Sequence, residues 1–169
     1  CEEYRCRLFT IGRKLSVYWT DREKNRLSDA ALEVLVADVE GLNLGLSRGG
    51  EIISTKVQAI YALAVCGTAN QISRLKSLRN KPGYVNSCLY AYGMAHVDIP
   101  WLVDQLARDC DILLKGHGKR NVQNSAHAVG LAFRDYSCYD KNEEKLRNSA
   151  ASWLLKALQP SDISNTETS

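Results

Sequence analysis

Three histidines, His96, His117 and His127, are the chain's whole supply of side chains that titrate near neutrality. An acid–base site would need one of them beside a carboxylate or a nucleophile. His96 has Asp98 two residues on, a spacing that suits a base and its orienting acid but suits a helix end followed by a cap equally well. His127 falls inside an apolar helical pattern, where packing or a surface contact accounts for it. His117 sits in Lys115-Gly116-His117-Gly118-Lys119-Arg120, whose glycine amides and cations could cradle a phosphate. That run lacks the G-x-x-x-x-G-K-S/T spacing and the preceding strand of a phosphate loop, so it reads as a helix connector. No serine occupies a G-x-S-x-G elbow, and Glu143 and Glu144 are adjacent, which on a helix turns them about a hundred degrees apart. Cys1, Cys6, Cys66, Cys88, Cys110 and Cys138 follow no Cys-x-x-Cys or Cys/His ligand spacing, which argues against a zinc framework. With no catalytic set, metal ligand or cofactor motif in view, the expectation is a protein that is not an enzyme and carries no cofactor.

Basic residues offer a different chemistry. Arg74, Lys76, Arg79 and Lys81 cluster late in one helical segment, and Lys115, Lys119 and Arg120 at a later junction. Such clusters could meet nucleic-acid phosphates. Few aromatics are interleaved, Asp104, Asp109 and Asp111 are close in sequence, and 22 basic against 19 acidic residues leave a net charge of only +3. A solvated face is the simpler reading, and nucleic-acid binding stands as the alternative.

The elements that position these residues are helical nearly throughout. The chain has 169 residues, 45% hydrophobic and 24% charged, with only three prolines and eleven glycines, a composition for one soluble α-rich domain. No apolar run approaches the ~20 residues that span a bilayer. Tyr4, Leu8, Ile11, Leu15 and Tyr18 form one apolar stripe, and Thr20 to Arg26 reads as a charged connector. From Ser28 a second helix places Leu32, Leu35, Val36 and Val39 inward and Glu33, Asp38 and Glu40 outward. The glycine-rich segment Gly41 to Gly50 follows as a candidate binding loop that includes Arg48. Thr55 with Gln58 and Thr68 with Gln71 read as capping boxes opening the third and fourth helices, and Lys81-Pro82-Gly83 stops the fourth. Asp98 reads as the cap of a sixth helix, Asn121 as the start of a seventh, and Asp140 with Glu143 as the cap of an eighth. One domain over 1–160 and a disordered polar tail over 161–169 are expected.

Three of these helices repeat a small-residue pattern: Ala59-Ile60-Tyr61-Ala62-Leu63-Ala64, Cys88-Leu89-Tyr90-Ala91-Tyr92-Gly93 and Ser125-Ala126-His127-Ala128-Val129-Gly130. Their starts are 29 and 37 residues apart, the range of helical arrays. The segments resemble the first helices of HEAT-type repeats, over roughly Thr55 to Leu158. The resemblance implies an all-α fold of about eight helices in antiparallel pairs, stacked as a HEAT-like α-α superhelix.

Such surfaces bind other proteins without reactive groups. Trp19, Tyr61, Tyr90, Trp101, Tyr136 and Tyr139 are the candidate aromatic anchors, with Arg48, His117, Lys119 and Arg120 in the two candidate contact loops. Cys1 at the start suits a lipidated residue of a bacterial envelope protein facing the periplasm, membrane-bound only through that lipid, with a cytoplasmic protein as the other expectation. A lipid-tethered binding domain is similar in layout to bacterial immunity lipoproteins that neutralise secreted toxic effectors. The expected function is therefore binding and inhibition of a partner protein; an intracellular scaffold fragment is a further alternative.

Overall fold

A computed structural model describes residues 2–42, 55–134 and 141–158. Among them are eight α-helices and no strand: α1 (Glu2–Leu15), α2 (Asp21–Val39), α3 (Thr55–Cys66), α4 (Ala69–Leu78), α5 (Val85–Ala95), α6 (Ile99–Leu114), α7 (Lys119–Phe133) and α8 (Lys141–Leu158), with a 3₁₀ turn over Ser16–Tyr18. The all-α expectation is met. The chain divides into two compact units, Cys1–Val97 and Asp98–Ser169.

In the first unit α3 is the central element, packed against α1, α2, α4 and α5. Its sequence explains the position. Ten of its 12 residues are buried, and the nearly continuous apolar run from Ala59 to Cys66 leaves little face to give to water. Tyr61 ties three helices together: its hydroxyl donates to the Met94 carbonyl on α5 at 3.1 Å, and the Arg13 guanidinium of α1 lies 3.9 Å from its ring centre. In the second unit α6 packs against both α7 and α8, and Ala150 is the buried contact of α8.

The small-residue pattern marks helix crossings in both units. Ala59, Ala62, Cys88, Ala91, Ser125 and Ala128 are all fully buried, whereas the last position of the pattern is variable, with Gly130 exposed. Replacing Ala91 or Ala128 with Leu should overpack its crossing and cost ~1–3 kcal/mol in denaturant unfolding. An unchanged midpoint for both variants would show that these alanines are not at packed contacts.

Several local expectations are corrected. The helix α2 begins at Asp21, seven residues before the expected Ser28, because Thr20 and Glu23 form a reciprocal capping box inside the supposed charged connector. Thr68 and Gln71 make their box as expected, but Gln58 Oε1 is buried with no hydrogen-bond partner, so Thr55 and Gln58 do not form one. Asp98 precedes α6 in the left-handed conformation (φ 50°) and its side chain does not cap the helix. The N-cap of α7 is Gly118, which puts Lys119 and Arg120 in the first helical turn, where the helix was expected to start only at Asn121. The Asp140 cap and the tail 161–169 lie outside the described residues.

Candidate functional site

Two features of the first unit stand out, a buried charge cluster and an exposed apolar face. The cluster is built from three helix ends. Asp38 lies in the last turn of α2, where the helix dipole disfavours an acid, and Lys56 in the first turn of α3, where it disfavours a cation. The two charges answer each other: Lys56 Nζ is 3.1 Å from Asp38 Oδ2, and both side chains are only 5% exposed. Tyr84 completes the group. A turn over Lys81-Pro82-Gly83-Tyr84 delivers it, with Gly83 at φ 77° and the Tyr84 amide donating to the Lys81 carbonyl at 3.0 Å. Proline second and glycine third are the residues a type II turn needs. The Tyr84 hydroxyl lies 2.8 Å from Asp38 Oδ2 and 2.9 Å from the Leu35 carbonyl, and its ring faces Lys56 Nζ at 4.4 Å. Its single proton serves one of those acceptors at a time. Asp38 Oδ1, by contrast, is buried without a hydrogen-bond partner. Beside the cluster is a pocket of about 450 Å³ lined by Asp38, Val39, Lys56, Lys81, Pro82, Gly83 and Tyr84.

The sequence pattern points away from this site. Asp38 was expected to face outward, with Val39 inward; Asp38 is buried and Val39 exposed. The signal was present in α3. Lys56 is the one charged residue of a helix whose residues from Ala59 to Cys66 are all apolar, and once such an ammonium is buried it needs an anion within reach.

Burial and the neighbouring Asp38 carboxylate hold the Tyr84 phenol above its ordinary range. Burial pushes the Cys88 thiol of α5 up to about 12, opposed by Arg79 and Lys56, and burial with Asp109 and Asp111 raises the Cys110 thiol of α6. All three groups are kept protonated by the fold, so the unfolded chain ionises first as pH rises. The Cys88 contribution is full below the ordinary thiol pKa of ~8.5 and is lost above it, at about 1.4 kcal/mol per pH unit until its folded value is reached, and the Tyr84 contribution is lost only above the ordinary phenol pKa of ~10. Unfolding free energy should therefore decline steeply between pH 8.5 and pH 12, and Cys88→Ala should flatten that decline. The free thiols of Cys66, Cys88 and Cys110 are buried, so alkylation of these three in the native protein should wait on unfolding.

The apolar face belongs to α1. Leu8, Ile11 and Leu15 are exposed, and the 3₁₀ turn adds Val17 and Tyr18, exposed by 74% and 86%. Leu8, Ile11, Leu15 and Tyr18 of the apolar stripe read from the sequence are therefore turned toward solvent. The reason is on the opposite face, where Phe9, Gly12 and Ser16 are buried. A Cβ on Gly12 would stand 3.0 Å from Leu27 Cδ1 and 3.3 Å from the Trp19 ring. The small-residue side of α1 packs chiefly on α3, with Gly12 leaving room for the Leu27 and Trp19 side chains, and the larger apolar residues are left outside.

The expected contact residues fall differently. Trp101 is buried and is a core residue of α6, which removes it as a surface anchor. Tyr90 is half-buried on α5. Lys115, His117, Lys119 and Arg120 are exposed around the start of α7. Cys1, Arg48, Tyr136 and Tyr139 lie outside the described residues, as does most of the Gly41 to Gly50 segment. No three His, Cys, Asp or Glu side chains converge on a metal-sized site among the described residues, and none of the described helices is long and apolar enough to cross a membrane. Comparison with protein-family models, with curated proteins and with solved structures found no match to this chain.

Proposed function

We propose that the protein is a non-catalytic binding domain that acts by occupying a partner protein, with the α1 face as its contact surface. The observation that carries this reading is the run of five exposed apolar side chains, Leu8, Ile11, Leu15, Val17 and Tyr18, along one helix and its following turn. Exposed apolar side chains gathered on one helix face are a mark of interaction sites. Tyr18 gives the face a large aromatic anchor, and the exposed Lys14, three residues after Ile11 and four before Tyr18, supplies a polar rim. The packing of α3 between α1 and α5 supports a stack of helical pairs, which holds α1 rigid for docking. The resemblance of layout to immunity proteins suggests a toxic effector as the partner and inhibition as the outcome.

A photoreactive side chain at position 18 of the full chain tests this in cells. The expected result is a discrete protein adduct that Ile11→Glu abolishes, and whose purified partner binds the chain one to one. Changing His96, His117 and His127 together to Gln should leave that binding intact. Partner binding that survives Ile11→Glu and Leu15→Glu would overturn the assignment of the face. Steeply salt-dependent binding to DNA or RNA, lost on neutralising Lys115, Lys119 and Arg120, would favour the nucleic-acid alternative.

A further inference from the structure

The apolar face of α1 carries charge of one sign along its edges. From Tyr4 to Thr20 the chain has four cations, Arg5, Arg7, Arg13 and Lys14, and no acid. Arg13 turns inward onto the Tyr61 ring. The other three border the face. With about 100° per residue, Arg7 and Lys14 fall roughly 40° and 60° to one side of Ile11, whereas Leu15 and Leu8 fall roughly 40° and 60° to the other. Arg7 and Lys14 are exposed, and Arg5, beyond Leu8 on the opposite edge, is half-buried. The helix beneath, α3, has Lys56 as its one charged residue and so brings no acid. Cations in a last turn complement the helix dipole, which accounts for Arg13 and Lys14 but not for Arg7 in the middle of α1.

That single sign selects the occupant. A two-fold axis crossing an antiparallel pair of α1 helices lays the Arg7–Lys14 edge of one copy along the same edge of the other, and a parallel pair sets it against Arg5. Both bring cations together, so a second copy of this chain is a poor fit. An anionic lipid surface matches the charge but not the relief. Leu8, Ile11 and Leu15 are 48%, 53% and 45% exposed, shallow for the ~5–10 Å that an interfacial helix sinks into a bilayer. A shaped groove can close over such side chains. We infer that the partner of the α1 face is a protein presenting an apolar groove rimmed by Asp or Glu side chains, which take Leu8, Ile11 and Leu15 inside and meet Arg7 and Lys14 at the edge. The inference rests on the docking role proposed above for α1 and adds the chemistry of what docks there.

Two labelled peptides of about 18 residues, five helical turns, test this on the full chain by fluorescence anisotropy at low ionic strength. Both carry Leu at alternating three- and four-residue spacing; one has Glu at the positions flanking the Leu stripe and the other Lys. The Glu peptide is expected to bind saturably and at least about tenfold more tightly than the Lys peptide, with an affinity that falls as salt rises. Lys14→Glu reverses one exposed charge and should remove most of that preference, while Lys14→Arg keeps it. Ile11→Glu should abolish binding of both peptides. The protein adduct at position 18 decides the docking role separately. With that adduct formed, equal binding of the two peptides, binding of neither, or a preference untouched by Lys14→Glu would overturn the acidic groove and leave the docking face standing. Should Ile11→Glu leave Glu-peptide binding intact, the docking role falls and the inference with it. Vesicles of phosphatidylglycerol and phosphatidylcholine in equal parts form the last arm: cosedimentation that Lys14→Glu abolishes, without Glu-peptide binding, would overturn the inference in favour of a membrane surface.

Discussion

Lys56→Met should destabilise the first unit by about 3–5 kcal/mol, the largest single-site effect expected in the molecule. Methionine replaces the aliphatic stem well, so lost packing is a minor part. The cost comes from Asp38, which would stay buried with its anion answered only by the Tyr84 hydroxyl. For a chain of this size each kcal/mol moves the melting temperature by about 2–4 °C, so the shift should be on the order of 10 °C. The double variant Asp38→Leu with Lys56→Met separates the mechanism from simple loss of contacts. Removing both charges removes both desolvation costs, and such replacements are often neutral or stabilising. The double variant should therefore recover most of the loss, giving a coupling energy of several kcal/mol in a double-mutant cycle. Additive losses in the two single variants would mean that the pair is not coupled in the folded state.

That cluster also shows what the sequence could and could not convey. The helices were legible because their signals are local. Thr68 with Gln71, the Lys81-Pro82-Gly83 stop and the stripe of α8 each act within a turn or two of chain. The burial of Ala62, Ala91 and Ala128 was legible too, since small residues at helical spacing imply close crossings. What was missed is tertiary. Asp38 and Lys56 are 18 residues apart and Tyr84 lies 28 beyond, on three elements whose convergence no periodicity encodes. Asp38 reads as an outward acid by its place on α2, and only the approach of α3 buries it. The start of α2 is a different kind of miss: the Thr20–Glu23 box was in the sequence, but the charged residues around it looked like a connector.

The face of α1 leads to the second large effect. Hydrophobic periodicity finds an apolar stripe but does not say whether the stripe meets the core or a partner. On α1 the answer turns on Gly12, whose missing side chain admits Leu27 and Trp19 and so fixes the inner face. Leu8, Ile11, Leu15 and Tyr18 then cost the folded monomer little to change, because none of them is buried in it. In an interface the same residues would be the desolvated anchors, where truncation costs 2 kcal/mol or more, a loss of about 30-fold in affinity. Ile11→Glu and Leu15→Glu go further, since each would bury a carboxylate against the partner. Each is expected to weaken partner binding by at least about 30-fold, mainly through faster dissociation, while leaving the melting temperature within ~2 °C of the parent. Tyr18→Ala should behave alike. The contrast with Lys56→Met is the decisive part: one set of variants loses stability, the other loses only the partner. If Ile11→Glu lowers the melting temperature as far as Lys56→Met does, the face is part of the core and the docking assignment fails.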